Sequence, residues 1–292
     1  MTRDHDQDRR LLKLVLGLTG SYCVVELVGG WLINSLALMS DAGHMLSDVG
    51  AMGLSLFAAY IASLPATSQK TFGYYRAEIL AAFVNGLALW LIAGVIFHEA
   101  YHRFFDPPEV RGYGLLLIAS VGLGVNLFTA WILSPSRGHS LNLRGVFLHV
   151  MSDALGSVGA VTAGTVILLT DWYWADSVAS LGIGLLILFS SFGLVRDSMD
   201  ILMQATPRHI SLQGVQKAME EVEGVQQIHD LHVWTLTSGV FTLSAHVVVD
   251  GEWDPHMLLD KLEGRIQDAF GIKHTTIQLE PQDRQRNELT TF

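Results

Sequence analysis

Two apolar stretches of the chain carry the same five-residue pattern, His44-Met45-Leu46-Ser47-Asp48 and His149-Val150-Met151-Ser152-Asp153. The i, i+4 spacing puts the histidine and the aspartate of each pattern on one helix face. Each pattern lies inside a run apolar enough to span a bilayer. Ionisable groups at that depth are expensive, so they face the protein interior and mark an ion path. If the pairs converge, they offer two imidazole nitrogens and two carboxylate oxygens, a tetrahedral set suited to Zn2+. Imidazole makes such a set less suited to Mg2+, Ca2+ or Mn2+, which prefer oxygen. Co2+ and Ni2+ are compatible with it, and Cd2+, larger and softer, ranks lower. A single His/Asp pair could equally be an interhelical hydrogen bond; it is the matched duplication that favours metal.

The composition fits a polytopic membrane protein with some soluble mass. Of 292 residues, 50% are hydrophobic and only 16% are charged, against about 25% in soluble domains. The mean hydropathy is +0.37. A formal net charge of −10 argues against nucleic acid as a partner. The single cysteine, Cys23, excludes an intrachain disulfide and a thiolate-rich site. The charged N-terminus carries no cleavage pattern of a signal peptide.

A spanning helix needs about 20 mostly apolar residues, and six such spans are expected, at residues 11–33, 38–64, 77–101, 113–133, 143–169 and 175–195. Asn34-Ser35, the polar loop from Pro65 to Gly73, Asp106-Pro107-Pro108-Glu109 and Ser134-Pro135-Ser136-Arg137-Gly138 separate them. Asp171-Trp172-Tyr173-Trp174 reads as an interfacial aromatic belt against lipid. Arg3, Arg9, Arg10, Lys13, Lys70, Arg76, Arg137, Arg144 and Arg196 fall on one side, and only Arg103 and Arg111 on the other. The positive-inside rule therefore puts both termini in the cytoplasm.

The expected domain plan is a tail at 1–10, the six-helix all-α transmembrane domain at 11–204 and a linker at 205–209, followed by a cytoplasmic α+β domain at 210–281 and a polar tail at 282–292. In the α+β domain, residues 212–222 and 255–270 read as helices. Residues 225–236, 240–249 and 273–279 read as strands, with a hairpin turn at Thr237-Ser238-Gly239. The order αββαβ implies helices on one face of a small, ferredoxin-like sheet. A domain this small is marginal alone, which favours dimerisation.

The two His/Asp patterns, their spans and this tail together resemble the cation diffusion facilitator family, in particular its zinc-transporting branch with two His/Asp pairs. The resemblance covers residues 10–281 and rests on several stretches taken in order. These are Asn34-Ser35-Leu36-Ala37-Leu38, Ser40-Asp41-Ala42-Gly43-His44, Phe72-Gly73-Tyr74-Tyr75-Arg76-Ala77-Glu78, His149-Val150-Met151-Ser152-Asp153 and His229-Asp230-Leu231-His232-Val233-Trp234. It implies a homodimeric exporter exchanging a cytosolic divalent cation, foremost Zn2+, for protons, with His44, Asp48, His149 and Asp153 as transport ligands. Imidazole has a reference pKa of about 6.5 and must be neutral to bind metal, so His44 and His149 are expected to carry most of the exchanged protons. The resemblance also implies metal ligands in the cytoplasmic domain at His229, His246 and Glu280. His256 and His274 are weaker candidates, and strand alternation puts His232 on the opposite face from His229. Gln278 stands where some relatives have histidine, which argues against a binuclear cluster. The loop from Thr67 to Tyr74 lacks the aspartate and histidine that some relatives use, so no metal is expected there. The short loop around His139 favours a bacterial inner-membrane protein.

Other residues have blander readings. Asp41 is either a polar lining residue or a helix cap. Glu26, Asn85, Asn126 and Asp176 read as making either helix-packing hydrogen bonds or ion contacts, and Gly29, Gly30, Gly50, Gly53, Gly156 and Gly159 as residues that allow close helix packing. Arg76-Ala77-Glu78 reads as a hinge or charge lock, and His5 as part of a tail. His98-Glu99-Ala100-Tyr101-His102 matches the His-Glu-x-x-His pattern of zinc metalloproteases, which makes an intramembrane protease the rival reading. A membrane metal sensor is a third. The protein is expected not to be an enzyme, because the transporter pattern accounts for the whole chain.

Overall fold

The computed structural model describes residues 2–134, 141–250 and 254–281, with the backbone alone described at 2–14, 16 and 141–146. His139 and the tail at 282–292 lie outside these residues, as does the side chain of His5. The elements run α1 (Thr2–Ile33), α2 (Leu36–Ala62), α3 (Ala77–Phe105), α4 (Gly112–Leu133), α5 (Leu141–Thr170) and α6 (Trp174–Leu202), then α7 (Leu212–Glu220), β1 (Val225–Thr237), β2 (Val240–Val249), α8 (Pro255–Phe270) and β3 (His274–Pro281). They form two compact units. One comprises Met1–Leu56 and Val84–Val195, the other Phe57–Phe83 and Arg196–Phe292.

Among the described residues, the five helices α2 to α6 are long and apolar enough to cross a membrane, and Gly17–Ile33 of α1 adds a shorter apolar stretch. Helix α1 already begins at Thr2, where a tail was expected. In the first unit, Leu38, Leu89, Ile96, Leu115, Ile167 and Ile187 meet in one apolar core drawn from α2 to α6. Three of the six expected glycines meet a neighbour, Gly29 most tightly, where a Cβ would run into Ile118, and Gly156 more loosely against Asp41 and Ile183; other close approaches fall at glycines not singled out in sequence. A Cβ on Gly164 would lie 2.8 Å from the Leu116 backbone nitrogen, and one on Gly184 would lie 2.7 Å from the Phe97 ring. Gly30 does lie against Leu38 and Met39, but Gly50, Gly53 and Gly159 meet nothing within 4 Å. A glycine matters to packing only on the face that meets a neighbour, and composition does not reveal that face.

The turn between α1 and α2 is held by charge. Asn34 takes a positive φ of 61°, which asparagine tolerates better than most residues. The buried Asp176 carboxylate of α6 then caps α2, accepting from Ser35 Oγ at 2.6 Å, Leu36 N at 2.6 Å and Ala37 N at 3.3 Å. These are the N–H groups a helix start leaves unpaired, at its positive end. Arg103 of α3 lies 3.9 Å from Asp176 and donates to Asn34 O at 2.8 Å and to Glu99 Oε1 at 2.9 Å. Asp41 is not a cap, because α2 has begun five residues earlier at Leu36. Asn126 donates to Ser157 Oγ at 3.2 Å, joining α4 to α5.

In the second unit a mixed sheet has the order β1-β2-β3, with β1–β2 antiparallel and β2–β3 parallel through α8. Ser211 and Asp254 cap α7 and α8, and Gly271 ends α8 at φ 70°. Val215 and Met219 of α7 and Leu258, Leu262 and Ile266 of α8 pack with Ile228, Val233, Leu243 and Val247 of the sheet. Thr237 Oγ1 donates to Glu78 Oε2 at 3.0 Å, so Glu78 is engaged by a hydroxyl rather than by an opposite charge. The hairpin turns at Ser238-Gly239, with Gly239 at φ 75°.

Strand β1 carries a bulge. His229 pairs with His246 and His232 with Ser244, so three steps on β1 answer two on β2. Asp230, at φ 49°, is the extra residue. The bulge returns His232 to the face of His229, which corrects the alternation expected from the sequence.

Two predictions follow from these contacts. Asp176→Ala should destabilise the full-length protein in detergent by about 2 kcal/mol or more, measured by thermal unfolding, because it strips the cap from α2. An unchanged midpoint would refute the cap's importance. Deleting Asp230 should cost less thermal stability than deleting Trp234, since only the latter flips the strand residues that follow. Equal losses would count against the bulge.

Candidate metal centre

Helix α2 presents His44 and Asp48, and α5 presents His149 and Asp153, each pair one turn apart. The structure brings all four together. His44 Nε2 lies 3.7 Å from Asp48 Oδ2 and 3.9 Å from Asp153 Oδ1. His149 Nε2 lies 3.2 Å from Asp48 Oδ2 and 3.6 Å from Asp153 Oδ2. A tetrahedral ion with bonds of about 2.0–2.1 Å needs ligand–ligand separations of about 3.3–3.4 Å; one ligand atom each of His44, Asp48 and His149 lie within 4.8 Å of one another, and Asp153 meets the two histidines with different carboxylate oxygens. The two imidazole rings meet edge to face, with centroids 5.7 Å apart. Asp153 is 8% exposed and His149 46%, so the cluster is closed on the aspartate side and open at His149.

A cavity of about 20 Å3, room for about one water, adjoins the cluster. Asp41, His44, Ser152, Asp153 and Ser190 are among its lining residues. Ser152 belongs to the repeated pattern, where Ser47 matches it, whereas Ser190 carries no sequence signal. Asp41 is buried, and so is Glu26, which accepts from Tyr22 Oη at 3.1 Å.

The sheet brings His229, His246 and Glu280 together, one from each strand, with a ligand atom of each within 4.8 Å of the others. His229 Nε2 lies 3.4 Å from Glu280 Oε2, and His246 Nδ1 lies 3.7 Å from Glu280 Oε1. Glu280 is buried and also accepts from Gln278 Nε2, so Gln278 orients the carboxylate. Asp230, which the sequence reading passed over, reaches His232 Nε2 at 2.9 Å and His246 Nε2 at 3.8 Å. Only its place between two histidines hinted at this. His256 and His274 are exposed and stand apart from the cluster, the His274 ring meeting Phe72 instead.

Glu99 is tied to Arg103 at 2.9 Å, within the network that holds the α1–α2 turn. It serves that network, and nothing here favours a protease.

Comparison with known proteins gives the same picture along the whole chain. Residues 12–203 match the cation efflux transmembrane domain, and residues 207–282 match the cytoplasmic domain of cation efflux proteins. The cadmium, cobalt and zinc/H(+)-K(+) antiporter of Bacillus subtilis is 44% identical over 96% of this chain and 92% of its own length. The metal cation efflux system protein CzcD of Cupriavidus metallidurans is 43% identical over 94% of this chain and 87% of its own. Zinc transporter ZitB of Escherichia coli is 39% identical over 95% and 89%, respectively. With both domains matched and relatives of this identity covering almost its full length, the chain belongs to the cation efflux, or cation diffusion facilitator, family of membrane metal-ion transporters.

Proposed function

We propose that this protein exports cytosolic Zn2+ across a bacterial inner membrane in exchange for H+, using His44, Asp48, His149 and Asp153 as the transport site. The observation that carries this reading is the convergence of two imidazoles and two carboxylates from α2 and α5 inside an apolar helical unit. The nitrogen and oxygen donors favour Zn2+, with Co2+ and Cd2+ as further cargo, in line with the name of the Bacillus subtilis relative, and Ni2+ chemically compatible. Protons compete with metal for the same imidazole and carboxylate atoms. Exposure of the site to a more acidic exterior then releases metal and loads protons, and return to the cytoplasm reverses the exchange.

Both termini lie in the cytoplasm in this reading. The cytoplasmic domain joins two copies into a homodimer and binds a second, regulatory ion through His229, His246 and Glu280. The match to the cytoplasmic domain family and the meeting of three candidate ligands, two imidazoles and a carboxylate, on one sheet face support this part.

Zn2+ flux into proteoliposomes should follow an imposed pH gradient and fall to background in Asp48→Ala and in Asp153→Ala. Flux indifferent to both aspartates would overturn the transport site. In equilibrium dialysis of the purified full-length protein, His246→Ala should remove one Zn2+ per chain and Asp48→Ala a separate one, additively, with both affinities falling as pH is lowered. Loss of the same single ion in both variants would refute two independent sites.

A further inference from the structure

The last turns of α3 hold a feature that neither the helix packing nor the four-residue cluster uses. His98 and His102 are both exposed, one turn apart on one face, with ring centroids 4.5 Å apart at an interplanar angle of 76°. Two imidazoles at this spacing can reach one ion from a single helix face, and the rigid helix holds the second ligand ready once the first has bound. Glu99 lies between them in sequence, but its carboxylate is held by Arg103 at 2.9 Å, which in turn holds Asn34. The carboxylate is thereby committed to the turn.

The surroundings bear on access. Phe104 stacks on Trp174 at 5.4 Å and Trp172 meets Trp174 at 6.3 Å, so this end of the helices carries a cluster of amphipathic aromatic side chains. Such clusters sit at the membrane–water boundary, where aqueous ions have access.

We propose that His98 and His102 form a surface site for a borderline-soft divalent cation, Zn2+ foremost and Ni2+ or Cu2+ by the same chemistry, with its remaining positions open to water. Hard oxygen-seeking ions such as Mg2+ and Ca2+ are excluded by the all-imidazole donor set. The site is separate from the His44 cluster and does not depend on how that cluster works. Because both ligands come from one helix, loss of either imidazole leaves a one-ligand contact, weaker by roughly a hundredfold.

The test is residue-resolved protection. The full-length protein in lipid nanodiscs is treated with diethyl pyrocarbonate with and without Zn2+, and acylation of each histidine is followed by peptide mass spectrometry. Zn2+ should slow modification of His98 and His102 together while Mg2+ does not. Protection of His102 should vanish in His98→Gln, and protection of His98 in His102→Gln. Rates at both histidines that Zn2+ leaves unchanged would overturn the proposal. So would protection of one that survives loss of the other, or a pair that the reagent cannot reach without metal.

Discussion

A carboxylate buried among apolar helices must be met by donors, and Asp176 is met by the start of α2. One side chain on α6 satisfies the Ser35 hydroxyl and two backbone N–H groups that a helix start would otherwise leave unpaired. Arg103 adds a positive charge from α3, and through Asn34 it grips the single turn between α1 and α2. The cap fixes where α2 begins. The helical rise then fixes how deep His44 and Asp48 sit and which way they face. The polar cluster on α2 and α5 thus inherits its geometry from an electrostatic clamp at the end of the bundle. The same clamp absorbs Glu99, which in sequence looked like a catalytic base.

The parts of the fold that were legible in sequence are those with strong local signals. Helix α8 spans residues 255–270 as read, because Asp254, Pro255 and Gly271 mark both ends chemically. The long apolar runs gave the membrane helices but not their ends. Helix α3 continues to Phe105, past the 101 expected, since the polar residues there join the Arg103 network rather than breaking the helix. The packing glycines were only half legible for a related reason. Whether Gly53 or Gly184 meets a neighbour depends on helix rotation, which only the assembled bundle defines.

The candidate site shows the same division. Repetition of one short pattern singled out His44, Asp48, His149 and Asp153, because spacing encodes a helix face. Nothing local announced Ser190 beside them, or the service of Gln278 in holding Glu280. The bulge at Asp230 is the sharpest case. Strand alternation assigns faces only while every residue pairs, and one unpaired residue reversed the assignment of His232.

The mixed sheet has a kinetic consequence. The hairpin of β1 and β2 closes over a two-residue turn, whereas β3 reaches β2 only after the chain has wound through α8. Contacts of such sequence separation form late, because chain entropy must be lost before they contribute. Glu280 sits on that final strand, and His229 near the start of the first. During synthesis the two histidines therefore leave the ribosome before their carboxylate partner does. The three-residue cluster reports that the domain has been translated to its end and closed, and chains cut short before β3 lack it by construction.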